Sequence, residues 1–328
     1  MAGDLRRAGD SISLAARLVD ETEGRSLWAV RHRGSSAEFF ALCERLVADL
    51  CDQLDAQIRE AERERAIVAP PGHLGAWGLY HRGMWHAFRF DAAELDRAEA
   101  CFAQALALAP DFGLAHAGLG YAAIVRAVML WAPDAPAVLA RGLDHARSAT
   151  AHDPVSSFVS MVHGRLLLMH GETGAAFDLL TAARDRHPSY AHLQYCLALS
   201  HHGAGEPDLA LQAIDRAIRL SPRDPLMSMF LTVRAGSLYF TDRPAEAEAA
   251  ARAALGISRT DVWALTMLAV VLAEKGEAAQ ARALLTGADG AFPDQAGATM
   301  WPLIRRTVAP QAADRVRRAL ENIGLSGF

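Results

Sequence analysis

The chain has 328 residues, of which 52% are apolar and 22% are charged, and its formal net charge at pH 7 is −5. A single hydrophobic core stops growing beyond about 250–300 residues, so this length indicates several domains or a stacked, one-dimensional fold. The apolar content excludes disorder over most of the chain, and the acidic balance argues against a nucleic-acid partner.

The lysine and cysteine residues of the chain exclude several common kinds of ligand-binding site. Lys275 is the only lysine and is followed by glycine, which excludes a phosphate-binding P-loop. The four cysteines contain no C-x-x-C pair, so we expect reduced thiols and neither a zinc site nor another cofactor. Neither a signal region nor an apolar segment long enough to cross a bilayer is apparent, so we expect a cytoplasmic protein with no membrane partner.

The first 66 residues are predicted to form a small α+β segment. Apolar residues alternate with polar ones over Ser11–Val19, which is typical of a strand with one buried face. A turn then leads to a second predicted strand over Ser26–Arg31, and Leu5–Arg7 predicts a short third one.

A long helix is predicted after these strands. Ser35 and Glu38 form a capping box, in which the serine bonds a backbone amide of the first turn and the glutamate reaches back. Apolar residues from Phe39 to Ile58 fall along one stripe of this helix. A linker over 67–75, which contains Pro-Pro-Gly, separates the helix from the remainder of the chain.

A 34-residue period organises the chain between residues 76 and 295. Three windows of this length align without gaps, at 157–190, 191–224 and 262–295. In each, two small residues lie 12 positions apart, followed by a larger residue, a further small one and a proline. These positions are Gly164, Ala176, Leu180, Ala183 and Pro188 in the first window and Ala269, Ala281, Leu285, Ala288 and Pro293 in the third. Small residues let paired helices approach closely, and proline ends the second helix.

Degenerate copies around these windows bring the number of predicted helical hairpins to six. We therefore predict a mostly α fold, a right-handed α–α superhelix, with the small α+β segment before it; an irregular helical bundle is the alternative. Residues 296–328 hold no full repeat and are predicted to form capping helices. Arg315, Val316 and Leu320 indicate an amphipathic helix there.

The repeat pattern resembles the tetratricopeptide repeat family over about residues 76–295. Arg219–Pro225 resembles the junction in repeat regions carboxy-terminal to bacterial class III adenylate cyclases and winged-helix transcriptional regulators. Residues 3–60 resemble the end of the TolB-like domain that precedes those repeats, through Gly3–Arg7, Ala16–Asp20, Leu27–Ala29 and Phe39–Leu42. The resemblance implies a sensory or interaction module and carries over no catalytic residue, because the cyclase or DNA-binding region would lie upstream.

The resemblance also implies that the first helix of each repeat lines a concave groove. The residues projected there are aromatic, methionine or arginine side chains with few charges, a composition typical of binding surfaces. We expect them to anchor a protein or peptide partner by apolar contacts, although some could instead belong to the core between repeats. The predicted groove residues are Trp77, Tyr80, Phe158, Met161, Arg165, His192, Tyr195, His202, Met229, Tyr239 and Trp263.

The sequence therefore predicts a non-catalytic scaffold for protein–protein interaction in a bacterial signalling or transcription-regulatory system. One alternative is a self-associating module that pairs larger chains as a homodimer, suggested by the edge of the small sheet and by the apolar segment Met129–Trp131. Another is an enzyme or metal site built across helices from the 13 histidines. Their spacing does not favour it: His81 and His86, for example, lie five residues apart rather than the three or four that share a helix face.

Overall fold

The computed structural model describes residues 2–19, 26–39, 43, 74–286 and 296–324. The described residues form two compact units, Met1–Arg82 and Gly83–Phe328. The boundary falls inside the first long helix rather than in the predicted linker. Each unit is described by itself below.

The first unit contains a three-stranded antiparallel sheet in the order β1-β2-β3, formed by Ala2–Ala8, Ser11–Val19 and Ser26–Ser35. The predicted period-two face of β2 is buried, because Ile12, Leu14 and Ala16 are each less than 9% exposed. Phe39 and Cys43 pack against Ile12 and Leu14. The predicted strand at residues 5–7 is the middle of β1, and Leu5 faces Leu14 across the pair.

The glutamate half of the predicted capping box is present at the end of β3, where Glu38 reaches back to Ser35. The backbone amide and the hydroxyl of Ser35 both donate to Glu38 Oε2, each at 2.9 Å. A short 3-10 turn, Ser36–Glu38, comes next. The predicted long helix and the linker at 67–75 lie almost entirely outside the described residues.

Twelve helices follow one another between residues 76 and 286, in six consecutive pairs that each have a first and a second helix. In chain order the pairs are α1 (Ala76–Ala87) with α2 (Ala92–Leu108), α3 (Gly113–Val128) with α4 (Ala135–His152), α5 (Ser157–His170) with α6 (Thr173–Arg186), α7 (Ala191–Ala204) with α8 (Pro207–Leu220), α9 (Met227–Phe240) with α10 (Pro244–Ile257), and α11 (Val262–Glu274) with α12 (Ala278–Thr286).

Local sequence signals place the ends of these helices. The Asp91 carboxylate accepts hydrogen bonds from the amides of Ala93 and Glu94, which satisfies two of the free donors at the start of α2. Pro207 and Pro244 occupy the first turns of α8 and α10, where no amide is needed. Gly171 ends α5 with a left-handed φ of 86°, a conformation that costs glycine little.

The 34-residue register matches the helices of the second unit. In each of the three aligned windows the first helix begins at the first residue of the window and the second begins sixteen residues later. Ala176, Leu180 and Ala183 are fully buried, and a Cβ built on Gly164 would lie 2.5 Å from Leu180. The predicted positions Ala288 and Pro293 lie outside the described residues.

Polar side chains that lie about one repeat apart in the sequence form hydrogen bonds with each other. His192 contacts Asp224 at 2.9 Å, the hydroxyl of Ser228 donates to Asp261 at 2.6 Å, and the hydroxyl of Tyr239 donates to Glu274. The partners in these links are 32 to 35 residues apart. These three links provide hydrogen-bond partners for polar groups that are buried or half-buried between residues 192 and 274.

Two helices close the chain, α13 (Ala296–Thr307) and α14 (Pro310–Asn322). The predicted amphipathic helix is α14, which buries Val316, Ala319 and Leu320 against the last repeats. Arg315 holds it there, because its guanidinium binds both carboxylate oxygens of Glu274 at 2.9 and 2.8 Å and lies 4.2 Å from the ring centre of Tyr239. Helix α13 does not extend the stack and instead packs against α5 and α7.

The predicted fold class, mostly α with a small N-terminal α+β segment, is therefore confirmed.

The close approach of α3 and α4 at Gly142 gives a test of the packing rule. A Cβ at this position would lie 2.6 Å from Ala123 Cβ, so we expect Gly142→Val to lower the free energy of unfolding by about 1–3 kcal/mol through overpacking. A Cβ built on Gly256 would have no atom within 4 Å. Gly256→Ala should therefore raise the free energy of unfolding by up to about 1 kcal/mol. Denaturant titration measures both; equal effects of the two substitutions would contradict the rule.

Candidate functional site

A cavity of about 110 Å³ lies inside the second unit, between several first helices and α13. Most of its wall is apolar, and Arg165 is the one lining residue with a permanent charge. The lining residues are Val128, Arg165, Leu168, Met169, Tyr195, Leu199, Met229, Thr232, Val233, Trp263, Leu303 and Thr307.

Helical spacing explains why these side chains meet. Arg165, Leu168 and Met169 lie at positions i, i+3 and i+4 of α5, and the lining residues of α9 show the same spacing. Residues three and four apart share one face of a helix. One face each of α5, α7 and α9 therefore points into the cavity.

The row of first helices curves until α11 approaches the end of α3. The indole Nε1 of Trp263 donates to the carbonyl oxygen of Val128 at 2.8 Å, although the two residues are 135 positions apart. Leu130, just beyond α3, packs against the same apolar cluster as Trp263. These contacts narrow the inner side of the superhelix into a partly open chamber.

Helix α13 occupies part of this inner side. Its residues Met300, Leu303, Ile304 and Thr307 lie at i, i+3, i+4 and i+7, the spacing of one face of an amphipathic helix. Met300 is fully buried and Ile304 is 7% exposed.

Polar contacts hold α13 near both of its ends. Near its start, the hydroxyl of Thr266 on α11 contacts the Met300 sulfur at 3.8 Å. Just beyond its end, the amide of Ala309 donates to the carbonyl oxygen of His202 at 3.0 Å.

Four of the predicted groove residues, Arg165, Tyr195, Met229 and Trp263, line the cavity together. Arg165 is 6% exposed, and its guanidinium lies over the face of the Tyr195 ring, 5.0 Å from the ring centre. Tyr195 in turn stacks on Phe230 at 5.0 Å. The predicted residues at these positions are thus brought to one place by four different helices.

The other predicted residues of the second unit do not line the cavity. Phe158 and Met161 are buried on α5, and His192 pairs with Asp224 between repeats. Tyr239 is covered by Arg315 and is 1% exposed.

Trp77 and Tyr80 belong to the first unit. Trp77 is 43% exposed, whereas Tyr80 is buried.

Sequence reasoning missed the contribution of α13. The signal was present, because the spacing of Met300, Leu303 and Ile304 marks an apolar helix face. Nothing in the repeat pattern says where a helix outside the repeats packs, so its position depends on the tertiary structure.

His202 has a buried, neutral imidazole. The hydroxyl of Ser237 donates to the carbonyl oxygen of Val233, so its oxygen accepts a hydrogen bond from His202 Nε2 at 2.8 Å. Burial, with a smaller contribution from neighbouring His201, lowers the pKa of His202 to about 4. The ring is therefore a packed donor and not a proton carrier at neutral pH.

The described residues contain no group of three or more histidine, cysteine, aspartate or glutamate side chains able to hold a metal ion. His116 and His145 come within 3.0 Å of each other across α3 and α4, but no such group includes them. Among the helices of the described ranges, none is both long and apolar enough to span a membrane.

Comparison with known proteins agrees with the hairpin architecture. Residues 161–225 match the family described as "Tetratricopeptide repeat". Residues 161–225 carry the tetratricopeptide repeat. A curated relative, the "Putative adenylate cyclase 3" of Rhizobium meliloti (strain 1021), is 26% identical over 153 residues, which cover 47% of this chain. The chain spans only 26% of that relative's length.

Two solved structures share this tetratricopeptide-repeat fold at low sequence identity. The human IFIT1 dimer with m7Gppp-AAAA is 15% identical with a TM-score of 0.60, over 88% of this chain and 68% of that chain. The hetero-tetramer Cut9-Hcn1 of the APC/C is 14% identical with a TM-score of 0.59, over 81% and 48% of the two chains. At these identities the likeness shows the superhelical fold alone.

The state of His202 predicts an acid-dependent loss of stability. Its pKa is about 4 when folded and 6.5 when unfolded, so only the unfolded chain takes up a proton between these values. The stabilisation is complete above pH 6.5 and is lost as the pH falls towards 4, by about 3 kcal/mol. Chemical denaturation at pH 7, 5.5 and 4.5 should show this slope.

His202→Gln, which keeps a donor for Ser237, should flatten that slope. His152→Gln is the control, because the side chain of His152 is 37% exposed. We expect this substitution to leave the dependence of stability on pH unchanged. An unchanged pH dependence in His202→Gln would show that other groups cause it.

Proposed function

We propose that this protein is a non-catalytic scaffold whose superhelix holds a helical segment of a protein partner on its inner side. The single observation that carries the proposal is that this inner side already holds a helix of its own chain, α13. Helix-in-groove binding uses apolar anchors at i, i+3, i+4 and i+7, and Met300, Leu303, Ile304 and Thr307 have that spacing.

The proposed contact surface is the part of the predicted groove that borders α13. Arg165, Tyr195, Met229 and Trp263 line the cavity beside Leu303 and Thr307. Aromatic, methionine and arginine side chains are enriched at the centres of protein interfaces, where they supply most of the binding energy. A partner helix would bind where α13 binds, and apolar anchors would dominate its affinity.

The likeness to the Rhizobium meliloti relative supports a signalling context. We propose that the superhelix serves as the regulatory or interaction part of a bacterial signalling or transcription-regulatory system, and that it performs no reaction itself. A tetratricopeptide region is well suited to this, because stacked repeats present a long concave surface for a partner.

A peptide of residues 296–309 is a direct probe of the proposed surface. In the intact chain α13 competes for the site at the millimolar effective concentration of a tethered segment. We expect the labelled peptide to bind at least about tenfold more tightly to the double variant Leu303→Asp, Ile304→Asp, in which α13 loses its apolar face. Fluorescence anisotropy measures both affinities.

Two controls distinguish specific binding from non-specific hydrophobic association. A peptide carrying the same two aspartates should not bind, and adding Met229→Glu to the variant chain should weaken binding, since Met229 lines the site. Circular dichroism confirms that the helices of the variants persist. Equal binding to the wild-type and variant chains, or none to a folded variant, would reject the inner side as the partner surface.

A second candidate function is self-association through the small sheet. The residues of β1 from Gly3 to Ala8 are all exposed, and Leu5 is 59% exposed. Strands with exposed outer residues recruit strands of other chains. If this candidate is right, light scattering at increasing concentration will show twice the chain mass, and Leu5→Lys will restore the monomer; a monomer at every concentration would exclude it.

A further inference from the structure

Arg165 is a buried cation without a matching anion. Its side chain belongs to a residue that is only 6% exposed, and it lines the inner cavity. Across the ranges that the structure describes, no carboxylate oxygen lies within 4.0 Å of its guanidinium. Its aromatic contact is the Tyr195 ring, whose centre lies 5.0 Å from the guanidinium carbon.

Other partly buried arginines of the same unit do have carboxylate partners. Arg126 binds Glu99 at 2.7 Å and also Asp96, and Arg234 binds Asp215 at 2.7 Å. Arg315 binds Glu274 at 2.8 Å and Asp242 at 3.1 Å. Arg165 is more deeply buried than the side chains of these three, and yet it lacks such a partner.

A guanidinium stays protonated at any relevant pH, so Arg165 cannot relieve its burial by losing a proton. Burying a charge is costly unless the charge is paired and hydrogen-bonded. The tyrosine face offsets part of this cost, since a cation–π contact is favourable and strengthens when it is desolvated. The remaining donors of the fork border a cavity, where a bound anion could reach them.

We propose that the cavity binds a small organic monocarboxylate. Its carboxylate pairs with the guanidinium of Arg165, and its short apolar body lies against Leu168, Leu199 and Trp263. This inference goes beyond the proposed scaffold function and does not depend on the identity of a protein partner.

The lining favours one carboxylate over a phosphate. The hydroxyls of Thr232 and Thr307 donate to the carbonyl oxygens of Ser228 and Leu303, at 2.9 and 2.8 Å, so neither proton is free for an anion. Arg165 and Tyr195 are then the side chains of the lining that can donate hydrogen bonds to an anion. Two such donors are suited to an anion with a single negative charge. The apolar wall would desolvate a dianion without enough donors to replace its water.

The size of the cavity limits the ligand. An apolar cavity of about 150 Å³ holds a benzene molecule, so 110 Å³ fits a body of about four to six heavy atoms. Leu303 and Thr307 of α13 form part of the wall. A free small molecule can therefore occupy this space while α13 stays in place.

Calorimetric titration and thermal unfolding of the full chain test this proposal. The probes are sodium acetate, butyrate, hexanoate and benzoate, with butyramide as the neutral analogue and sodium chloride at matched ionic strength. We expect saturable binding and a raised Tm with at least one of the carboxylates of four or more carbons. We also expect an affinity at least about tenfold above that of the amide. No binding by any of the carboxylates, or an equal effect of chloride, would overturn the proposal.

Arg165→Met keeps an unbranched, flexible apolar side chain and removes the charge. We expect it to lose carboxylate binding at least about tenfold, and to leave the Tm of the free protein equal or higher, because a buried unpaired charge is removed. A large fall in the Tm of the free protein would instead show that Arg165 is structural and would count against the proposal.

A cavity-filling variant keeps the test decisive if Arg165→Met does not fold. Leu199→Phe leaves the guanidinium in place and fills the space beside it, so it should abolish binding of butyrate and benzoate. Retained binding in this variant would place the carboxylate elsewhere and overturn the proposal.

Discussion

The structure depends on one constraint, that the first helix of each central repeat is apolar on nearly every side. Helix α5 buries eleven of its fourteen residues, whereas its partner α6 buries three. A helix that is apolar all round must be covered on all sides. The second helices cover one side, neighbouring repeats cover two more, and the inner side needs a further element. Helix α13 is that element at α5 and α7.

Two features allow first helices of this kind to stack in a row. Glycine and alanine at the crossings bring paired helices close, as at Gly164, where the Leu180 side chain occupies the space of a missing Cβ. Hydrogen bonds between neighbouring repeats pair several of the polar groups that are buried with them, such as His202 with Ser237. A buried polar group without such a partner would cost stability, so these links also fix which residues can face each other.

The same arrangement explains where binding is expected. The curvature that brings Trp263 to the end of α3 turns the inner side into a chamber, and α13 fills only part of it. The space that is left is a small apolar cavity with one buried cation. A surface that binds a helix of its own chain can exchange that helix for a similar helix of a partner. A cavity that holds an unpaired cation can bind a counter-ion. The partner helix and the counter-ion are different occupants of the same chamber.

The sequence by itself determined the repeats, because a 34-residue period of small residues and prolines is a local pattern that only stacked hairpins satisfy. It also determined the helix caps and the buried face of β2, since both depend on neighbours along the chain. The tertiary structure decided that Arg165, Tyr195, Met229 and Trp263 share one cavity, while Tyr239 is covered by Arg315 from a helix beyond the repeats. Periodicity determines the direction in which a side chain points from its own helix. The curvature of the stack and the position of α13 depend instead on contacts between residues more than a hundred positions apart. No local sequence pattern records such contacts.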